Sequence, residues 1–97
     1  MNMLTGKQKR YLRSLATTQR AVFQIGKDSL SDNLIETVDQ ALTTKELVKI
    51  KVLKTASGDV EEMAFDLAMN TKSEVVQIIG RTILLYRKAK EPKILLP

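Results

Sequence analysis

Gly26, Lys27, Asp28 and Ser29 stand between a short apolar run (Val22, Phe23, Ile25) and three residue types that start helices, Ser31, Asp32 and Asn33. A strand that runs through glycine into a helix N-terminus aims backbone N–H groups and the positive dipole end outward. That geometry suits an anion, and a phosphate is the commonest biological one. The charge around the loop is lopsided. Before Asp28 the chain carries Lys7, Lys9, Arg10, Arg13, Arg20 and Lys27 and no acid. After residue 74 it carries Arg81, Arg87, Lys88, Lys90 and Lys93 against Glu91 alone. Between these ends acids outnumber bases, within a net charge of +5. If the fold joins the two ends, they make one basic surface with an acidic back, which steers the molecule toward a polyanion. Alternatively, the basic termini are solvated tails.

Other chemistries lack their residues. There is no Cys and no His, which excludes disulfides, Cys/His zinc sites, thiol nucleophiles and His-based triads. No P-loop pattern appears. The carboxylates Asp59, Glu61 and Glu62 read as charges at a helix start, not as a convergent metal site. No enzymatic activity, cofactor, metal or small-molecule substrate is expected. MNMLTGKQKR has no apolar signal core, and the apolar runs are too short to cross a membrane. A soluble cytoplasmic protein is expected, as a monomer with a single domain over residues 1–97.

Elements must position the loop. Residues 5–17 read as a helix capped by Thr5, with Leu4, Tyr11, Leu12 and Leu15 on one side and Lys7, Arg10 and Arg13 at three-residue spacing on the other. Residues 21–25 read as a strand and 31–44 as a second helix on Leu34, Ile35, Val38, Ala41 and Leu42. Over residues 46–54 Val48, Ile50 and Val52 alternate with Lys49 and Lys51, the clearest strand. Asp59, with Glu62 as capping-box partner, opens a third helix. Its buried face is Met63, Ala64, Leu67 and Ala68, widened by Phe65 and Met69. Residues 75–79 and 82–86 are two strands joined by a tight Gly80-Arg81 hairpin. Beyond Pro92, residues 93–96 read as an edge segment or a docked tail. The order α-β-α-β-α-β-β predicts an α/β fold. Two strand–helix–strand units imply locally parallel pairing, and the final hairpin is antiparallel, giving a four-stranded mixed sheet with helices on one or both faces.

In this order LTGKQKRYLRSLA, IGKDSLSDNLIETVDQAL, ELVKIKV and QIIGRTILLYRKAKEPKILLP resemble the bacterial stand-alone CRM domains, the YhbY-like small RNA-binding proteins linked to ribosome assembly. The resemblance spans nearly the whole chain and is most specific from Ile79 to Pro97. It implies a compact α/β sandwich like the C-terminal domain of a bacterial translation initiation factor. It also implies a GxxG loop after the first strand, comparable to the KH clamp on nucleotide backbones. Here Gly26 and Lys27 fit that loop. Ser29 stands at the second glycine, and the acid Asp28 occupies a variable position, where it repels phosphate.

The resulting expectation is an RNA-binding protein that contacts structured ribosomal RNA of the large-subunit precursor and assists subunit assembly. The expected contacts are Lys7, Lys9, Arg10, Arg13, Gly26, Lys27, Ser29, Arg81, Arg87, Lys88 and Lys90. Gly26 also reads as a plain strand-to-helix turn glycine, and Arg81 as a hairpin tip. Lys49 and Lys51 rank lower, as a solvated strand face. Tyr11 and Tyr86 read as core more than as base-stacking platforms. The alternative is an interaction module for an acidic protein partner, with RNA incidental. Duplex DNA is a third ligand.

Overall fold

The computed structural model describes residues 4–21, 23–27, 30–56 and 58–97, so residues 1–3, Val22, Asp28, Ser29 and Ser57 lie outside the described residues. The elements are α1 (Gly6–Ala16), β1 (Phe23–Ile25), α2 (Asp32–Lys45), β2 (Leu47–Val52), α3 (Val60–Thr71), β3 (Glu74–Ile79) and β4 (Thr82–Tyr86). The expected order is found.

Local chemistry sets the helix starts. The Thr5 hydroxyl accepts from Gln8 N (3.1 Å), and the Gln8 side chain accepts from Thr5 N (3.0 Å), a complete capping box. Ser31 caps α2 by accepting from Leu34 N at 3.1 Å. Asp59 precedes α3 but makes no side-chain cap bond, so the expected capping box with Glu62 does not form. Only Glu46 separates α2 from β2. It turns the chain at φ 64, an unusual conformation for a side-chain-bearing residue.

The sheet runs β1-β2-β4-β3. β1 and β2 pair in parallel, with Phe23 opposite Ile50 and Ile25 opposite Val52. β4 is antiparallel to both β2 and β3. The hairpin therefore folds back into the sheet, and β4 separates β3 from β2. The second strand–helix–strand unit keeps a parallel direction without the expected neighbouring pair. Gly80 takes the positive φ of 57 that the first position of a two-residue hairpin loop requires.

Alternation along the strands builds two cores. Val48, Ile50, Val52, Ile83 and Leu85 face α2 and α3, where Val38, Leu42, Met63, Ala64 and Leu67 are buried. Leu47, Val76, Leu84 and Tyr86 face the other way, under Leu12 and Ala16 of α1. A bulge between Val75 and Gln77 sends Val76 to the α1 side. The α3 reading needs correction: Phe65 and Met69 do not widen the buried face but are 58% and 77% exposed. Residues 65 and 69 point away from the sheet because 63, 64, 67 and 68 already cover the contact stripe. Tyr11 is likewise 38% exposed, while Tyr86 is core.

Candidate nucleic-acid interface

One end of the sheet gathers three loops. β1 delivers Gly26 and Lys27 there, β2 delivers residues 53–55, and the hairpin delivers Gly80 and Arg81. They are stitched together. Leu53 N donates to Ile25 O (2.8 Å) and Val52 N to Arg81 O (2.7 Å). Arg81 Nε donates to Val52 O (3.1 Å) and Nη2 to Leu53 O (2.9 Å). Arg81 is thus a half-buried brace for its neighbour loop, with Nη1 outside these bonds. Lys27 is exposed, and the capped N-terminus of α2 follows it.

Gly26 is a glycine that its described surroundings do not require. Its φ is not in the left-handed region. A Cβ built there would meet only Leu53 Cδ1 at 3.7 Å and Thr55 Oγ1 at 3.8 Å, ordinary contact distances. Among the described residues, neither backbone strain nor crowding reserves this position for glycine.

The α1 side of the sheet is only half covered. α1 begins at the far end, where Leu4 N donates to Glu74 Oε2 (2.9 Å). It ends over mid-sheet, where Lys49 Nζ donates to Ala16 O (3.3 Å) and Gln19 O (3.2 Å). Lys49 is therefore a C-terminal cap for α1. Beyond it lies an uncovered row across all four strands. Gln24 pairs with Lys51, Lys51 with Thr82, and Thr82 with Ile79. Gln24 and Lys51 are exposed, and Ile79 is 61% exposed. Arg13 reaches this side, lining a cleft of about 210 Å³ with Lys49, Gln77, Ile79, Thr82 and Leu84. On α1 the exposed Lys7 and Arg10 continue the stripe that ends at Arg13, while Lys9 is half-buried.

The C-terminal bases lie elsewhere. β4 leaves the sheet at Tyr86, opposite Leu47 and Glu74, so Arg87, Lys88 and Lys90 start at the end remote from Gly26. Arg87 is engaged internally. Nη1 donates to Asp39 Oδ1 and to Thr71 O, both at 2.6 Å. Nη2 donates to Asp39 O (2.7 Å) and Thr43 Oγ1 (2.8 Å). It ties α2, α3 and the end of β4 together. Lys88 and Lys90 are exposed.

Residues 88–97 form a docked tail organised by Glu46, which is 1% exposed. Its carboxylate accepts from Lys93 N (2.6 Å), Ile94 N (3.1 Å) and Ala89 N (3.4 Å). These bonds offset burial of its charge. Ile94 and Leu96, like Leu4 and Leu15, pack against the core cluster under α1, and Gln8 Nε2 donates to Pro97 O at 3.3 Å. The C-terminal residue thus meets α1 there, away from the loop. Burial first, and the Glu46 charge second, push the Tyr86 phenol above its ordinary value of 10.0.

Ser29 lies outside the described residues. The structure brings Gly26, Lys27 and Arg81 together, and places Arg13 on the face beside them. It separates them from Lys88 and Lys90. Lys54, exposed beside Thr55, joins the loop end although no sequence motif marks it. Register alone reveals Lys51 as the centre of the open row. Among the described residues, no helix is long and apolar enough to cross a membrane.

Comparison with known proteins identifies the fold and family. The CRS1 / YhbY (CRM) domain model matches residues 4–87. The chain is 45% identical over 91 residues to the Bacillus subtilis protein named "Probable RNA-binding protein YqeI", covering 94% of this chain and 95% of that one. It is 33% identical over 97 residues to a Haemophilus influenzae protein named "RNA-binding protein", covering 100% and 98%. The solution structure of a hypothetical protein from Staphylococcus aureus superposes with a TM-score of 0.82 at 49% identity, covering 98% of this chain and 100% of that one. With a family model over residues 4–87 and relatives matching almost its whole length, the chain belongs to the CRS1/YhbY (CRM) domain family.

Proposed function

We propose that this chain is a cytoplasmic, single-domain, monomeric RNA-binding protein that contacts structured ribosomal RNA of the large-subunit precursor and assists its assembly. The observation that carries RNA contact at the loop is Gly26, a glycine for which the described fold has no use and which leaves room for a phosphate. Around it, Lys27, Lys51 and Lys54 supply exposed positive charge, and the α2 N-terminus supplies a positive dipole end. Lys7, Arg10 and Arg13 extend that charge along α1. Relatives named as RNA-binding proteins support the ligand class.

Each residue has a part in this reading. Lys7, Lys9, Arg10, Arg13 and Lys27 contact phosphates, and Gly26 and Ser29 let the backbone approach one. Arg81 mainly braces the loop end. Arg87 holds the helices that present it, and Lys88 and Lys90 touch RNA only if it wraps past α1 to the far end. The protein performs no chemistry on the RNA. Such binding is phosphate-dominated, so affinity falls with salt, and each lost contact lowers the log–log slope by about 0.7–0.9.

The test is a titration of a labelled large-subunit RNA fragment at several salt concentrations with the Arg10→Glu/Arg13→Glu variant. Both the affinity and the slope are expected to fall, with unfolding unchanged. Unaltered affinity would remove α1 from the interface. A preference for duplex DNA over the RNA fragment at equal salt would overturn the ligand assignment.

A further inference from the structure

The cleft beside Arg13 differs from the rest of the basic face. Its lining joins the buried Leu84 and the exposed Ile79 to Arg13, Gln77 and Thr82, all three half-buried. The lysine that also lines it, Lys49, has its ammonium committed to the Ala16 and Gln19 carbonyls, so it contributes only its stem. The side chains of Arg13, Gln77 and Thr82 take part in none of the hydrogen bonds found among the described residues.

Size narrows the ligand. At about 210 Å³ the cleft is smaller than pockets for drug-sized molecules, which run to about 300–1,000 Å³. Its lining residues Ile79 and Thr82 belong to the cross-strand row that continues through Lys51 to Gln24, beside the Gly26 loop. We propose that this cleft takes one unpaired nucleobase of the bound RNA. The base lies on Leu84 and Ile79 against the planar guanidinium of Arg13. The Gln77 amide, which both donates and accepts, and the Thr82 hydroxyl meet its edge. A paired base cannot enter, because its edge is occupied and it is stacked. The cleft thus adds a preference for bulged or looped RNA to a surface that otherwise reads phosphates. This inference rests on the RNA-binding reading above.

The test uses the full chain and two RNA hairpins, identical except that one carries a single bulged 2-aminopurine. The wild-type protein is expected to bind the bulged hairpin at least tenfold more tightly and to change the 2-aminopurine fluorescence. Gln77→Ala and Thr82→Val should bring the preference below about threefold and leave affinity for the paired hairpin unchanged. Ile79→Ala, at a 61% exposed side chain that the fold hardly uses, should do the same. Equal wild-type affinity for the two hairpins, or a preference that survives all three substitutions, would overturn the proposal and leave RNA binding standing. Failure of the wild type to bind either hairpin would overturn both readings.

Discussion

Replacing Arg87 with Ala separates a structural role from an RNA contact at a residue whose charge alone suggests the latter. Arg87 makes four hydrogen bonds to α2 and α3, with a side chain 22% exposed. The ion pair with Asp39 counts for little. The Asp39 side chain is 49% exposed, so solvent screens the pair to below about 1 kcal/mol. The bonds to the Asp39 and Thr71 carbonyls weigh more, at about 1.5 kcal/mol or more each for a charged donor. Thr71 O is one of the carbonyls that α3 itself leaves unpaired at its end. Truncation should therefore cost about 3 kcal/mol, or a melting temperature lower by about 12–24 °C for a domain of this size. Arg87→Lys should recover only the weak ion pair, because an ammonium cannot span four acceptors in a plane. Urea unfolding measures the loss, and an RNA titration under conditions where both proteins are folded measures the contact. An unchanged unfolding midpoint together with a tenfold weaker RNA complex would refute the reasoning.

Three further outcomes follow from burial and bonding. Phe65→Ala should change stability by less than about 0.5 kcal/mol, whereas Met63→Ala, two residues away but 5% exposed, should cost about 2–5 kcal/mol; equal losses in urea would contradict the orientation of α3. Glu46→Ala removes the acceptor for three tail amides, so hydrogen exchange at Lys93 and Ile94 should accelerate while β2 and β4 stay protected, and unchanged protection at these two amides would show that the tail is held otherwise. Tyr86 has a raised folded pKa, so it favours the fold fully below pH 10 and progressively less as the pH rises through about 10 toward its folded value, because the unfolded phenol ionises first; Tyr86→Phe should flatten that alkaline decline, measured as unfolding midpoint against pH.

What could be read in the sequence depended on how local its cause was. Thr5 and Ser31 cap their helices through bonds to residues three positions on, and the apolar runs 75–79 and 82–86 flank a Gly-X turn. Such features lie within one short window. The strand order did not. Nothing in residues 75–86 says that β4 will separate β3 from β2. The loop end was also only partly legible. Gly26 and Lys27 carry a motif, but Lys51 joins them through pairing with β1 and Lys54 through the turn that follows β2. Charge misleads where a partner is distant in sequence. Arg87 meets Asp39 and Thr43, and Lys49 meets the end of α1, so both bases serve the fold. Glu46 has the reverse character, an acid buried at a helix end because a tail nearly fifty residues later brings it N–H donors. Phe65 and Met69 show that an apolar residue on a helix is not thereby core once the contact stripe is filled.

The most direct measurement for the account is Gly26→Ala, read twice. The described surroundings accommodate a Cβ, so stability in urea should hold or rise by about 0.4–1 kcal/mol, as for other glycines in ordinary backbone conformations. Affinity for the large-subunit RNA fragment should nevertheless fall about tenfold, because the methyl group occupies the space a phosphate needs. A variant that is equally stable and binds RNA as tightly as the parent would contradict the assignment of this loop as the point where RNA meets the backbone.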